Sequence, residues 1–168
     1  EGAAEPVQQP VRFLTRRGFE VIEAKCGEEA LELHASMSFD LVLLDVMMPG
    51  ISGLEVLTQI RRTFTSQQLP IIMVTANSMS NDVVEALKLG ADDYVTKPID
   101  FEVALARINT QIERKKAADE ASMREGRKAV ELEEARALID REHEEKKRAE
   151  SQVRYLATKD HLTQVFNR

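Results

Sequence analysis

Phe39-Asp40-Leu41-Val42-Leu43-Leu44-Asp45-Val46-Met47-Met48-Pro49-Gly50 is the stretch on which the fold turns. Its first seven residues make a nearly continuous apolar run that closes on a carboxylate, Asp45. Such a run, without strict alternation, predicts a central parallel strand buried on both faces. Pro49-Gly50 and Gly53 then form a loop, and Leu54, Leu57 and Ile60 set a helical stripe as far as about Phe64.

Working outward, the same alternation repeats. Residues 7–17 read as a first helix through Val11 and Leu14, and residues 19–24, after the turn residue Gly18, as a short strand. A helix follows over 27–36, with Ala30, Leu31 and His34 at helical spacing. Pro70 opens a second apolar run, Ile71-Ile72-Met73-Val74, ending at Thr75. Asn81 or Asp82 can cap a helix carrying Val83, Val84, Leu87 and Leu89, which Gly90 stops. Tyr94-Val95-Thr96 is a last short strand before Lys97-Pro98. Strands alternating with helices at these loop lengths predict an α/β fold, a doubly wound parallel sheet.

Ligands of such sheets bind beyond the carboxyl ends of the strands. Asp45, Thr75 and Lys97 each fall at one of those ends. A carboxylate there can act as a nucleophile toward phosphorus and form an acyl phosphate. A lysine and a bound Mg²⁺ can neutralise the phosphoryl oxygens, and a hydroxyl can follow the modification by moving. The plain alternative is a loop cap, a solvated lysine and a strand end, and the residues alone leave both open.

Charge divides the 168-residue chain. Residues 1–98 hold 14 acidic and 8 basic side chains, whereas residues 99–168 hold 15 of each, so the net −6 lies wholly in the first part. All five prolines, and all seven glycines except Gly126, also precede residue 99. Turns in the first part and almost none in the second predict a globule followed by a long helix. The acidic balance argues against nucleic acid as the main partner. A single cysteine, Cys26, excludes an internal disulfide and fits a reducing, cytoplasmic setting. No apolar run approaches the about 20 residues of a membrane span. His34, His143 and His161 have no companions at metal spacing, and Cys26 has no evident basic partner.

Three motifs in order, Asp45-Val46-Met47-Met48-Pro49-Gly50 with Gly53, Val74-Thr75-Ala76, and Asp92-Asp93-Tyr94-Val95-Thr96-Lys97-Pro98, closely resemble the receiver domain of bacterial two-component response regulators. The spacings agree, 30 residues from Asp45 to Thr75 and 22 more to Lys97. The resemblance covers residues 1 to about 115 and implies a flavodoxin-like receiver fold. It makes Asp45 the phosphoacceptor, Thr75 the hydroxyl that follows the phosphoryl group, Tyr94 the aromatic switch residue and Lys97 the phosphoryl-binding lysine, with a cis peptide before Pro98. It also makes Asp45 and the Met47 backbone carbonyl ligands of Mg²⁺, and a histidine kinase or phosphotransfer protein the phosphoryl donor. Receivers open with a strand ending in acidic residues, and that strand is missing from this sequence. Counting back places Glu1 and Gly2 where the acidic pair belongs, so Glu1 is the remaining candidate ligand, with Glu5 nearby. The chain is read as truncated, as degenerate, or as receiving that strand from another chain.

From Asp100, a plausible cap, no proline interrupts the chain. Residues 101–112 are amphipathic and complete the globule. Leu105, Ile108 and Ile112 follow 3,4 spacing; Ala135, Ile139, Ala149, Val153 and Leu156 do so in a frame shifted by one. A coiled-coil homodimer with a weak seam or hinge near Gly126 is the expectation; a solvated helix laced by pairs such as Glu142 with Lys146 is the alternative. Tyr155 to Arg168 looks like the opening of a GGDEF domain, the diguanylate cyclase fold, through Asp160, Leu162, Thr163, Asn167 and Arg168, with Gln164 in place of the usual Gly. The expected organisation is a receiver over 1–115, a helical coiled-coil linker over 116–156 and the start of a GGDEF domain over 157–168. The resemblance implies a regulatory, dimerising portion of a diguanylate cyclase, unable by itself to make cyclic di-GMP. The alternative is a degenerate receiver acting as a phosphate-independent dimerisation module.

Overall fold

The computed structural model describes residues 8–76 and 81–166, with side-chain environments over 10–76 and 81–159. Its elements alternate as α1 (Gln8–Arg16), α2 (Gly27–Ser36), β1 (Val42–Asp45), α3 (Gly53–Arg61), β2 (Ile71–Thr75), α4 (Asn81–Lys88), β3 (Asp93–Thr96) and α5 (Phe101–Phe166). The three strands are parallel in the order β1-β2-β3. Val42 aligns with Ile71 and Asp45 with Val74, while Ile72 aligns with Asp93 and Thr75 with Thr96. The chain divides into two compact units, residues 1–120 and 121–168.

β2 is the strand buried on both faces, and its residues alternate between two cores. Ile71 and Met73 join Leu44, Val56, Leu57 and Ile60 on the side of α2, α3 and α4. Ile72 joins Leu14, Val95, Ala104 and Ile108 on the side of α1 and α5. Helices therefore cover both faces, as the α/β reading requires.

Two expectations about the strands are corrected. The run 39–45 was expected to be the central, doubly buried strand; that place belongs to β2, all five of whose residues are buried. Among the described residues β1 pairs on one side only, and Leu43 remains 36% exposed. Residues 19–24 form no strand. Phe19 and Val21 do pack inward against the second core, as alternation predicts, but no described strand lies beside them to make a ladder. Alternation reports a face, whereas a strand also needs a neighbouring backbone.

The helix ends follow local chemistry. Ser52 caps α3 by accepting the Glu55 N–H, while the Glu55 carboxylate accepts the Ser52 N–H at 2.8 Å, a reciprocal capping box. α3 stops at Arg61 rather than near Phe64, because residues 62–63 turn away. Asp100 caps α5 as expected, its Oδ1 accepting the N–H groups of Glu102 and Val103. Within the second unit the helix passes Gly126 without interruption. The expected hinge is therefore not a break in the helix, since one glycine costs only about 1 kcal/mol against many propagating neighbours. Every side chain over 121–159 is exposed, Leu132, Ile139, Val153 and Leu156 included.

A partly buried arginine joins the first unit together. The Arg61 guanidinium donates to the carbonyls of Gly90 (2.7 Å) and Leu69 (2.8 Å) and to Asp92 Oδ2 (2.8 Å). The same Asp92 oxygen accepts the Ile71 N–H at 2.7 Å. Both charged side chains are only 11% exposed. Burial pulls the Arg61 guanidinium below its ordinary pKa, and the charge and hydrogen bond of Asp92 pull it back only in part. Removing one partner of such a pair strands the other. Arg61→Ala is therefore expected to lower the unfolding free energy by about 3 kcal/mol, measured by urea denaturation followed by circular dichroism. A loss below about 1 kcal/mol would place the pair among exposed ion pairs of little consequence.

Candidate functional site

Parallel pairing brings the carboxyl ends of all three strands to one edge. Asp45 is the last residue of β1 and Thr75 of β2, and Lys97 follows β3 directly. The Lys97 N–H donates to the Thr75 carbonyl at 2.8 Å, which ties the third strand end to the second. The Lys97 Nζ reaches back to form an ion pair with Asp45 Oδ2. The other carboxylate oxygen, Asp45 Oδ1, accepts the Met47 N–H at 3.0 Å. Both oxygens of Asp45 are thus held by donors, yet the side chain keeps 31% of its surface open and Lys97 44%. Thr75 is 3% exposed. The Lys97-Pro98 bond is cis, as expected.

The turn after β1 is tightly set. Val46 donates to the Val74 carbonyl at 2.9 Å, and Gly53 donates back to the Val46 carbonyl at 3.0 Å. A Cβ on Gly53 would overlap the Asp45 carbonyl oxygen, so only glycine lets α3 start this close to the strand end.

Tyr94 lies half-buried against the first core. The Arg107 guanidinium stands 5.7 Å from its ring centroid and forms an ion pair with Asp93. The hydrogen bond that Arg107 donates to the Asp93 carboxylate raises the Arg107 pKa above its ordinary value. Sequence reasoning missed Arg107, Asp93 and Arg61 as partners. Each reads alone as a surface charge, and only the strand register and the packing of α5 reveal the pairing.

The structure thus joins Asp45 to Lys97 directly and sets Thr75 at the same sheet edge. Tyr94 belongs to β3, one strand further from Asp45. Glu1, Asn167 and Arg168 lie outside the described residues, as do the side chains of 160–166. Among the described residues no group of three or more His, Cys, Asp or Glu side chains could hold a metal ion, and no helix is long and apolar enough to cross a membrane.

The model of the response regulator receiver domain matches residues 6–109. The chain belongs to that family. The transcriptional regulatory protein AfsQ1 of Streptomyces coelicolor is 48% identical over 111 residues, covering 65% of this chain and 48% of AfsQ1. The receiver domain of the Francisella response regulator 1452 superposes with a TM-score of 0.59 at 30% identity, covering 64% of this chain and 87% of that one. A probable two-component response regulator/GGDEF domain protein superposes with a TM-score of 0.59 at 28% identity, covering 65% of this chain and 45% of the other. The chain therefore spans about half the length of the curated relatives it matches. It carries a phosphorylation-responsive receiver of a two-component response regulator. Receivers of this family are phosphorylated by histidine kinases or phosphotransfer proteins and typically bind Mg²⁺.

Gly53→Ala tests the geometry of the Asp45 turn. The added methyl is expected to cost about 2 kcal/mol through backbone displacement and to lower the melting temperature in a thermal scan. An unchanged melting temperature would show that the turn relaxes freely.

Proposed function

We propose that Asp45 is the phosphoacceptor and that Lys97 and Thr75 serve the phosphoryl group it receives. The observation that carries this reading is the Asp45–Lys97 ion pair at the carboxyl edge of the sheet, in a chain of the receiver family. An oxygen of the Asp45 carboxylate attacks the phosphorus of a donor phosphohistidine. A P–O bond forms, the donor's P–N bond breaks, and the imidazole leaves with its electron pair. The Lys97 ammonium, already at the carboxylate, neutralises a phosphoryl oxygen as charge accumulates. Thr75, at the next strand end, offers its hydroxyl to another. Tyr94 responds on the neighbouring strand, where Arg107 and Asp93 bracket it.

Mg²⁺ is commonly held by only one or two carboxylates, with waters and phosphate oxygens completing its shell. The Asp45 carboxylate and the Met47 carbonyl meet that minimum, with Glu1 a further candidate outside the described residues. When bound, the ion supplies positive charge beside the phosphoryl oxygens.

At the level of the whole protein we propose a response-regulator diguanylate cyclase. Its receiver covers 1–115, a coiled-coil linker 116–156, and the opening of a GGDEF domain 157–168. The sequence from Asp160 to Arg168 and the likeness to a response regulator/GGDEF protein support this output. The transcriptional regulators among the relatives are matched over 111 and 101 residues, 65% and 60% of this chain. Receiver and linker pair two copies of the chain, and phosphorylation adjusts the geometry of that cytoplasmic dimer. A second reading, a degenerate receiver that dimerises without phosphate, is favoured by the finding that, among the described residues, no group of three or more His, Cys, Asp or Glu side chains could hold a metal ion.

Incubation with acetyl phosphate and Mg²⁺, followed by intact mass, separates the two. One added phosphoryl group that is lost in Asp45→Asn and abolished by chelating the metal is the expected result; no gain in the wild-type chain supports the degenerate module. Light scattering is expected to give twice the 19.0 kDa chain mass, and a strict monomer at high concentration would overturn the dimer.

A further inference from the structure

The turn that carries Met47 has a second attachment, away from the sheet. The Gly27 N–H, at the start of α2, donates to the Pro49 carbonyl at 3.4 Å. One residue on, Glu28 Oε1 accepts the Ile51 N–H at 3.2 Å. The same carboxylate lies where a Cβ on Gly50 would sit, and Gly50 has a φ of +78°, so the backbone there presents no side chain against it. Gly27 is buried, and a Cβ on it would strike Ile51. Two glycines thus let α2 and the turn approach, and Glu28 supplies the side-chain bond that joins them.

The rest of the turn is held from its ends. Val46 is tied to β2 and to Gly53, and Ser52 is fixed by the capping box of α3. Between those anchors the Met47 N–H bonds to Asp45 Oδ1. The orientation of the Met47 peptide therefore depends on how the segment 48–51 is held: Gly27 and Glu28 hold it by hydrogen bonds, while Met48 and Ile51 pack against the first core.

We propose that Glu28 is a positioning residue for phosphorylation: by holding the Ile51 N–H it fixes the turn whose Met47 amide orients the Asp45 carboxylate. This inference rests on Asp45 being the acceptor. Its mechanism requires a hydrogen-bond acceptor at residue 28, not a charge. A glutamine carbonyl oxygen can take the same N–H, whereas alanine cannot.

Wild type, Glu28→Gln and Glu28→Ala are compared in two measurements. In metal-free protein, Glu28→Ala is expected to speed hydrogen exchange at the Ile51 and Met47 amides about tenfold, the factor corresponding to ~1.4 kcal/mol, while Glu28→Gln stays near wild type. With acetyl phosphate and Mg²⁺, the initial rate of phosphoryl gain falls several-fold in Glu28→Ala and is rescued in Glu28→Gln. Unchanged Met47 exchange in Glu28→Ala overturns the proposal. So does a glutamine variant as impaired as the alanine one, because charge would then be the operative property. If the wild-type chain takes no phosphoryl group, the acceptor reading fails by itself, and the exchange rates still decide whether Glu28 holds the turn.

Discussion

The contact between Arg61 and Asp92 is the constraint on which the carboxyl edge of the sheet depends. Asp92 exchanges backbone and side-chain bonds with Ile71, its N–H going to the Ile71 carbonyl at 2.9 Å and its carboxylate taking the Ile71 N–H. That exchange sets the first rung between β2 and β3, and each later rung follows from the regular step of a parallel ladder. Four residues on, Thr75 meets Thr96, and Lys97 is delivered beside the Thr75 carbonyl. Arg61 supplies the compensating charge and binds the Gly90 and Leu69 carbonyls at the same time. An ion pair at the amino ends of the strands thus fixes the reach of a lysine at their carboxyl ends.

Much of this was legible in the residues. The apolar runs before Asp45 and Thr75 located two strands, and Gly18, Gly50 and Gly90 marked turns that all take positive φ. The convergence of Asp45 and Lys97 followed from strand ends alone. Strand neighbours were not legible. Residues 19–24 carry the same alternation as a paired strand, yet pairing is a property of two segments, and one segment cannot declare it. The central position of β2 was hidden for the same reason. Glu28 was hidden differently: an acidic residue in the first turn of a helix is what the helix dipole favours, so nothing marked its carboxylate as bound to a turn 23 residues away.

The two units keep their order by different means. The first buries apolar side chains on both sides of a sheet. The second has no buried side chain over 121–159 and holds 15-against-15 charge together with its flanks. Its helicity draws on residue propensity and on the cooperativity of helix propagation. A helix that derives little from its own packing has much to gain from a partner surface.

The grip of Lys97 on Asp45 has a consequence for genetics. A substitution that removes the Asp45 carboxylate deprives the Lys97 ammonium of its charged partner, and one that leaves no acceptor oxygen also frees the Met47 amide. Under the proposed role of Asp45, an acceptor-null allele is therefore not a faithful copy of the resting protein with one reaction deleted. It is a third state, with a mobile cation at the sheet edge, and its phenotype can resemble either signalling state. Alleles of Lys97, which vacate the same pair from the other side, mark how much of that phenotype belongs to the lost contact and how much to the lost acceptor.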